Sequence, residues 1–96
     1  MNGYIVVNAR IVDQELLDEY RNSIGSAIDD YGGRVIIATN NAEALEGDPI
    51  GTRVVVVEFP SVEAARAFYD SPEYAGPKAI RLRATEGTLL IAEGRI

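Results

Sequence analysis

Four consecutive valines, Val54 to Val57, limit what this chain can fold into more than any other stretch. β-branched side chains are stiff at χ1 and favour an extended backbone, and an unbroken apolar run predicts a strand covered on both faces. The run continues as Glu58-Phe59-Pro60-Ser61. Pro60 has no N–H for a sheet ladder and so ends the strand. Ser61 then stands where a helix N-cap belongs. Val62, Ala65 and Phe68 or Tyr69 recur at helical spacing, and Ser71-Pro72 stops that helix.

Two further strands and a helix are legible ahead of this unit. Tyr4 to Arg10 alternates, with Ile5, Val7 and Ala9 on one face and Tyr4, Val6, Asn8 and Arg10 on the other. Asp13 is placed to cap a long helix from Gln14 to Tyr31, whose apolar stripe runs through Leu16, Leu17, Tyr20, Ile24, Ala27, Ile28 and Tyr31, with Asp18, Glu19, Arg21 and Asn22 opposite. Gly25 lies inside that helix at a cost of ~1 kcal/mol relative to alanine, and Gly32-Gly33 closes it. Val35 to Thr39 is a second strand. Ala42 to Gly47 reads equally as its bulged continuation or as a loop, and Asp48-Pro49-Ile50-Gly51 is a turn. Beyond the valine unit, Gly76-Pro77 restarts a short helix with proline at its first position. Lys78 to Thr85 continues it, and Thr88 to Ala92 is the last strand.

The order β-α-β-β-α-β predicts an α+β, ferredoxin-like domain spanning residues 1–96. Right-handed crossovers put both helices on one face of a four-stranded antiparallel sheet. The other face then presents Val6, Val54, Val56, Leu90 and either Val35 and Ile37 or their neighbour Ile36. That much contiguous apolar surface calls for cover, and a second copy is the simplest cover.

Composition removes several functions. A formal net charge of −6 repels phosphate backbones, so nucleic acid is a poor partner. The chain has no histidine and no cysteine. That removes the commonest general base, any thiol nucleophile and the usual zinc and haem ligands. No dinucleotide fingerprint is present, so neither nicotinamide nor any other cofactor is expected. Asp29-Asp30 lacks metal-site spacing, and Gly32-Gly33 leaves a helix rather than entering one, the reverse of a phosphate loop. No apolar run is long enough to span a bilayer, and the chain enters a strand directly after Met1-Asn2-Gly3. A cytoplasmic protein is the expectation.

Tyr4, Gly32-Gly33-Arg34, Leu45-Glu46-Gly47, Glu58-Phe59-Pro60-Ser61, Phe68-Tyr69, Ser71-Pro72-Glu73-Tyr74, Arg81 and Glu93-Gly94 together resemble the DUF1330 family of uncharacterised bacterial proteins. The family often carries tryptophan where Phe68 stands. The resemblance implies a ferredoxin-like protomer of the dimeric α+β barrel superfamily, in which two sheets meet face to face as a homodimer. That superfamily includes cofactor-independent monooxygenases, lactone isomerases and haem-dependent enzymes, but a shared fold does not carry their activities over.

The candidate site residues are carboxylate, arginine, tyrosine and small polar groups. Glu58 is the one candidate base, or else the partner of an arginine such as Arg34 or Arg81. Arg34 and Arg81 suit a substrate carboxylate through a planar fork. Tyr69 and Tyr74 flank Ser71-Pro72 and offer hydroxyls to the same ligand, unless they are core edges and Ser71 a turn former. Asn8 is polar in an apolar strand and is either a ligand contact or part of a dimer seam. The expected cleft lies between the sheet and the Ser71–Tyr74 corner, lined by Asn8, Glu58, Tyr69, Tyr74 and Arg81. Its ligand would be a small organic acid or a related metabolite. An enzyme, a binding module and a purely structural dimer all use these residues, and an enclosed pocket separates the first two from the third.

Overall fold

The computed structural model describes residues 1–95. Strand β1 (Gly3–Ile11) leads into helix α1 (Gln14–Ile24), capped by the Asp13 carboxylate, which accepts the Leu16 N–H at 3.0 Å. The single helix expected from Gln14 to Tyr31 is broken. At Gly25 the backbone takes φ 52°, and a separate turn of helix, α2 (Ala27–Asp30), follows. A Cβ at Gly25 would meet no atom within 4 Å, so the position needs glycine for its left-handed backbone rather than for close packing. At Gly33 the reverse holds, because a Cβ there would lie 2.6 Å from the Phe59 ring.

Strand β2 (Arg34–Thr39) carries a register shift between Val35 and Ile37. Residues 40–52 then form a loop, which settles the choice left open for Ala42 to Gly47. The Asn8 side chain pins its end, donating to the Gly51 carbonyl at 2.8 Å and accepting the Ile50 N–H at 3.0 Å. Strand β3 (Arg53–Phe59) contains the four valines, and helix α3 (Val62–Tyr69) follows under the Ser61 cap.

Ser71-Pro72 both ends α3 and starts helix α4 (Pro72–Ala84). The restart expected at Gly76-Pro77 does not occur, and α4 runs unbroken through Pro77. Ser71 explains the early start. Its hydroxyl accepts the Tyr74 N–H at 3.2 Å while donating to the Phe68 carbonyl at 2.7 Å. Pro72 sits where a missing N–H costs nothing, and Pro77 then removes one further bond, to the carbonyl of exposed Glu73. The helix passes directly into β4 (Thr85–Glu93), which is longer than the expected Thr88 to Ala92.

The strands lie in the order β2-β3-β1-β4 with every neighbouring pair antiparallel, a ferredoxin-like arrangement. Ile5, Val57, Phe59, Phe68 and Tyr74 are buried together between the sheet and the helices. The rings form a chain, with Phe68 5.4 Å from Phe59 and 4.5 Å from Tyr74 between centroids. On the other face the register aligns Leu90, Val6, Val56 and Ile37 in a row across all four strands. Leu90 is 59 % and Ile37 45 % exposed, so this apolar row has no cover within the protomer.

Candidate functional site

A cavity of about 200 Å³ lies between the helix-covered face of the sheet and all four helices. Protein interiors are close-packed, and unfilled apolar space lowers stability in proportion to its volume. A void of this size is therefore a candidate ligand site. Its body is apolar, formed by Ile5, Val7, Val55, Val57 and Leu89 from the sheet and by Leu17, Ile24, Ile28 and Phe68 from the helices. Its polar lining consists of Tyr20, Arg21, Arg53, Tyr74, Arg81 and Thr85.

Tyr74 and Arg81, two of the residues singled out in the sequence, meet here. The Arg81 Nε–H donates to the Tyr74 hydroxyl at 3.1 Å, a bond made possible by their spacing of seven along α4. The Tyr74 and Tyr20 hydroxyls lie 3.1 Å apart, with the rings edge to face. Burial, reinforced by Tyr74, pushes the Tyr20 hydroxyl far above the ordinary tyrosine range, so it stays protonated and acts as a hydrogen-bonding group rather than a base. Arg53 donates to the Asn40 carboxamide oxygen at 2.8 Å. Its pKa is lowered, first by desolvation and then by the like charge of Arg21.

The charge arrangement is one-sided. Among the described residues the ion pairs are Arg10 with Glu86 and Arg34 with Glu58. Among the described residues Arg21, Arg53 and Arg81 have no carboxylate partner, and of the cations without one these three border the cavity, in a chain where Asp and Glu outnumber Lys and Arg fifteen to nine. No carboxylate lines the cavity either. Three unpaired guanidiniums at an apolar cavity favour an anion there.

The other expected site residues lie elsewhere. Glu58, Arg34 and Asn8 are on the uncovered face of the sheet, so the expected grouping of Asn8 and Glu58 with Tyr74 and Arg81 does not form within the protomer. The Glu58 carboxylate accepts from the Tyr4 hydroxyl at 2.8 Å and from Arg34 Nε at 3.0 Å. Arg34, not Arg81, is its arginine partner. Tyr69 packs beside Tyr74, its ring 6.0 Å away and covered by the Lys78 ammonium at 4.2 Å. The Ser71 hydroxyl is fully used in the corner between α3 and α4.

The Tyr4 hydrogen bond, and then Arg34, hold the Glu58 carboxyl below the ordinary carboxylate value of 4.5. A depressed folded-state pKa contributes stability that is complete above the unfolded value and is lost as the pH falls through the folded one. Glu58→Gln should therefore lower stability at neutral pH and flatten the acid limb of a melting-temperature profile below about pH 4.5. An acid limb identical to that of the wild type would mean that Glu58 is not what the fold loses in acid.

Tyr20, Arg21 and Arg53 complete the site and were not singled out from sequence. Among the described residues no group of three or more His, Cys, Asp or Glu side chains could hold a metal ion. No helix is long and apolar enough to cross a membrane.

Comparison with known proteins agrees with this architecture. The family model for DUF1330, a domain of unknown function, matches residues 2–95. The chain belongs to the DUF1330 family. A comparison with curated proteins returns no match. Among solved structures, a protein of unknown function from Rhodopseudomonas palustris aligns with TM-score 0.78 at 18 % identity, covering 99 % of this chain and 83 % of that one. A dimeric protein of unknown function and ferredoxin-like fold from Bacteroides fragilis aligns with TM-score 0.51 at 17 % identity, over 96 % and 94 % of the two chains. A putative antibiotic biosynthesis monooxygenase from Bacteroides thetaiotaomicron aligns with TM-score 0.55 at 18 % identity, over 99 % and 89 %. At these identities the likeness is one of fold.

Proposed function

We propose that this DUF1330 protein is a homodimer in which each protomer binds a small organic acid with an apolar body. The observation that carries the ligand reading is the set of three carboxylate-free arginines bordering an under-filled apolar cavity in an acidic chain. An engineered apolar cavity of about 150 Å³ takes up benzene. A cavity of about 200 Å³ has room for one ring or a branched chain together with a carboxylate. The guanidiniums and tyrosine hydroxyls supply donors for that carboxylate, and partial burial at Tyr20, Arg53 and Arg81 and full burial at Tyr74 strengthen the bonds made there. With no carboxylate, histidine or cysteine at the cavity, proton abstraction by the chain is not part of the proposal, and binding is. The homodimer rests on the uncovered row of Leu90, Val6, Val56 and Ile37, and on the dimeric description of the Bacteroides fragilis protein.

A thermal-shift screen of small carboxylic acids tests the ligand reading, since a ligand at a hundred times its Kd adds ~2.7 kcal/mol to stability. The expected result is a rise in melting temperature for the wild type and little or none for a Tyr74→Phe, Arg81→Ala double variant. If no acid shifts the wild type more than the variant, the cavity is not an acid site. The structural-dimer reading would then be preferred.

A further inference from the structure

Resting on the organic-acid reading, the hydrogen inventory at the polar end of the cavity narrows the ligand class. Arg81 Nε can only donate, so the Tyr74 hydroxyl oxygen accepts from it. Tyr74 and Tyr20 then share one hydrogen bond, in which either hydroxyl can be the donor. Two phenols carry two hydroxyl hydrogens, and the bond between them uses one. The second has no acceptor among the described residues, whether it falls on Tyr74, which is 2 % exposed, or on Tyr20, which is partly buried. A hydroxyl hydrogen that lines the cavity and has no acceptor in the protein is available to an acceptor on a ligand.

Two kinds of donor thus meet at one end of the cavity: charged guanidiniums at Arg21, Arg53 and Arg81, and one neutral phenol. They match two kinds of acceptor on adjacent atoms, a carboxylate and a ketone oxygen. An ammonium group in the same place would face three like charges with no carboxylate to balance it. We infer that the cavity selects 2-oxo acids with a branched or cyclic apolar tail, the carboxylate held by the arginines and the oxo oxygen accepting the free tyrosine O–H, in preference to the corresponding saturated and 2-amino acids.

Three compounds with one carbon skeleton test this: 4-methyl-2-oxopentanoate, 4-methylpentanoate and leucine. Titration calorimetry on the wild type should show the oxo acid binding about tenfold more tightly than the saturated acid, the worth of one hydrogen bond in a desolvated site. Leucine should give no heat at the same concentrations. In a Tyr20→Phe, Tyr74→Phe double variant the oxo-to-saturated ratio should fall to about one. Either single phenylalanine variant leaves one phenol with its hydrogen free and should keep part of the preference. Equal binding of the oxo and saturated acids to the wild type overturns the 2-oxo assignment and leaves the organic-acid reading standing. Binding of leucine as tight as that of the oxo acid also overturns it. If neither acid binds, both readings fall together.

Discussion

Val56→Arg is expected to sediment as a monomer at low micromolar concentration, where the wild type is expected to sediment as the proposed dimer. Val56 is at the centre of the uncovered row, opposite Val6 on β1 and Ile37 on β2. An interface between two such faces typically buries more than about 2,000 Å² in total. An arginine at its centre would lose its water without gaining a partner, at an effective penalty of several kcal/mol. In the free protomer the same side chain would reach solvent, so the fold itself should survive. Leu82→Arg is the matching control, because Leu82 is exposed on α4, outside the sheet face, and that variant should stay dimeric. A Val56→Arg protein that still dimerises would place the interface elsewhere. A wild type that is monomeric at these concentrations would remove the homodimer altogether.

The same strand parity that leaves this row uncovered held more about the site than residue chemistry did. Glu58 has the parity of Val54 and Val56, and Asn8 that of Val6, so alternation alone assigns both to the face opposite the helices. Their polarity drew them toward a cleft that their parity excludes. Arg53 has the parity of Val55 and Val57 and so points toward the helices, although at a strand start it reads as an ordinary solvated end. Arg21 lies four residues after Leu17 and three before Ile24, at the margin of the buried stripe rather than opposite it. Tyr20 reads as one more core residue until its hydroxyl is seen to need a partner. The overall topology was more accessible, because the valine run, Pro60 and the Ser61 cap each act locally. The break at Gly25 and the continuity of α4 through Pro77 were less so. Both depend on whether a helix is held by its neighbours, which periodicity does not report.

Phe68→Ala and Phe59→Ala should each lower stability by about 3–5 kcal/mol, the usual cost of truncating a buried phenylalanine. For a domain of this size, that is a melting temperature lower by more than ~12 °C. Both rings are almost wholly buried and lie 5.4 Å apart, so their losses should be alike in size. They differ in what they adjoin. Phe68 lines the 200 Å³ cavity and lies 4.5 Å from the Tyr74 ring, whereas Phe59 does not line it. Removing the Phe68 ring therefore enlarges the cavity beside its polar end, while removing Phe59 opens a void behind it. A bulkier acid such as 3-phenylpropanoate should then restore part of the lost stability in Phe68→Ala, its ring taking the vacated space and its carboxylate reaching the arginines. In Phe59→Ala the same compound should restore no more than it adds to the wild type. The comparison is internal, since both variants begin from a similar deficit and see the same ligand. Equal rescue of the two, or rescue of neither, would mean that the space beside Phe68 is not continuous with an acid-binding site.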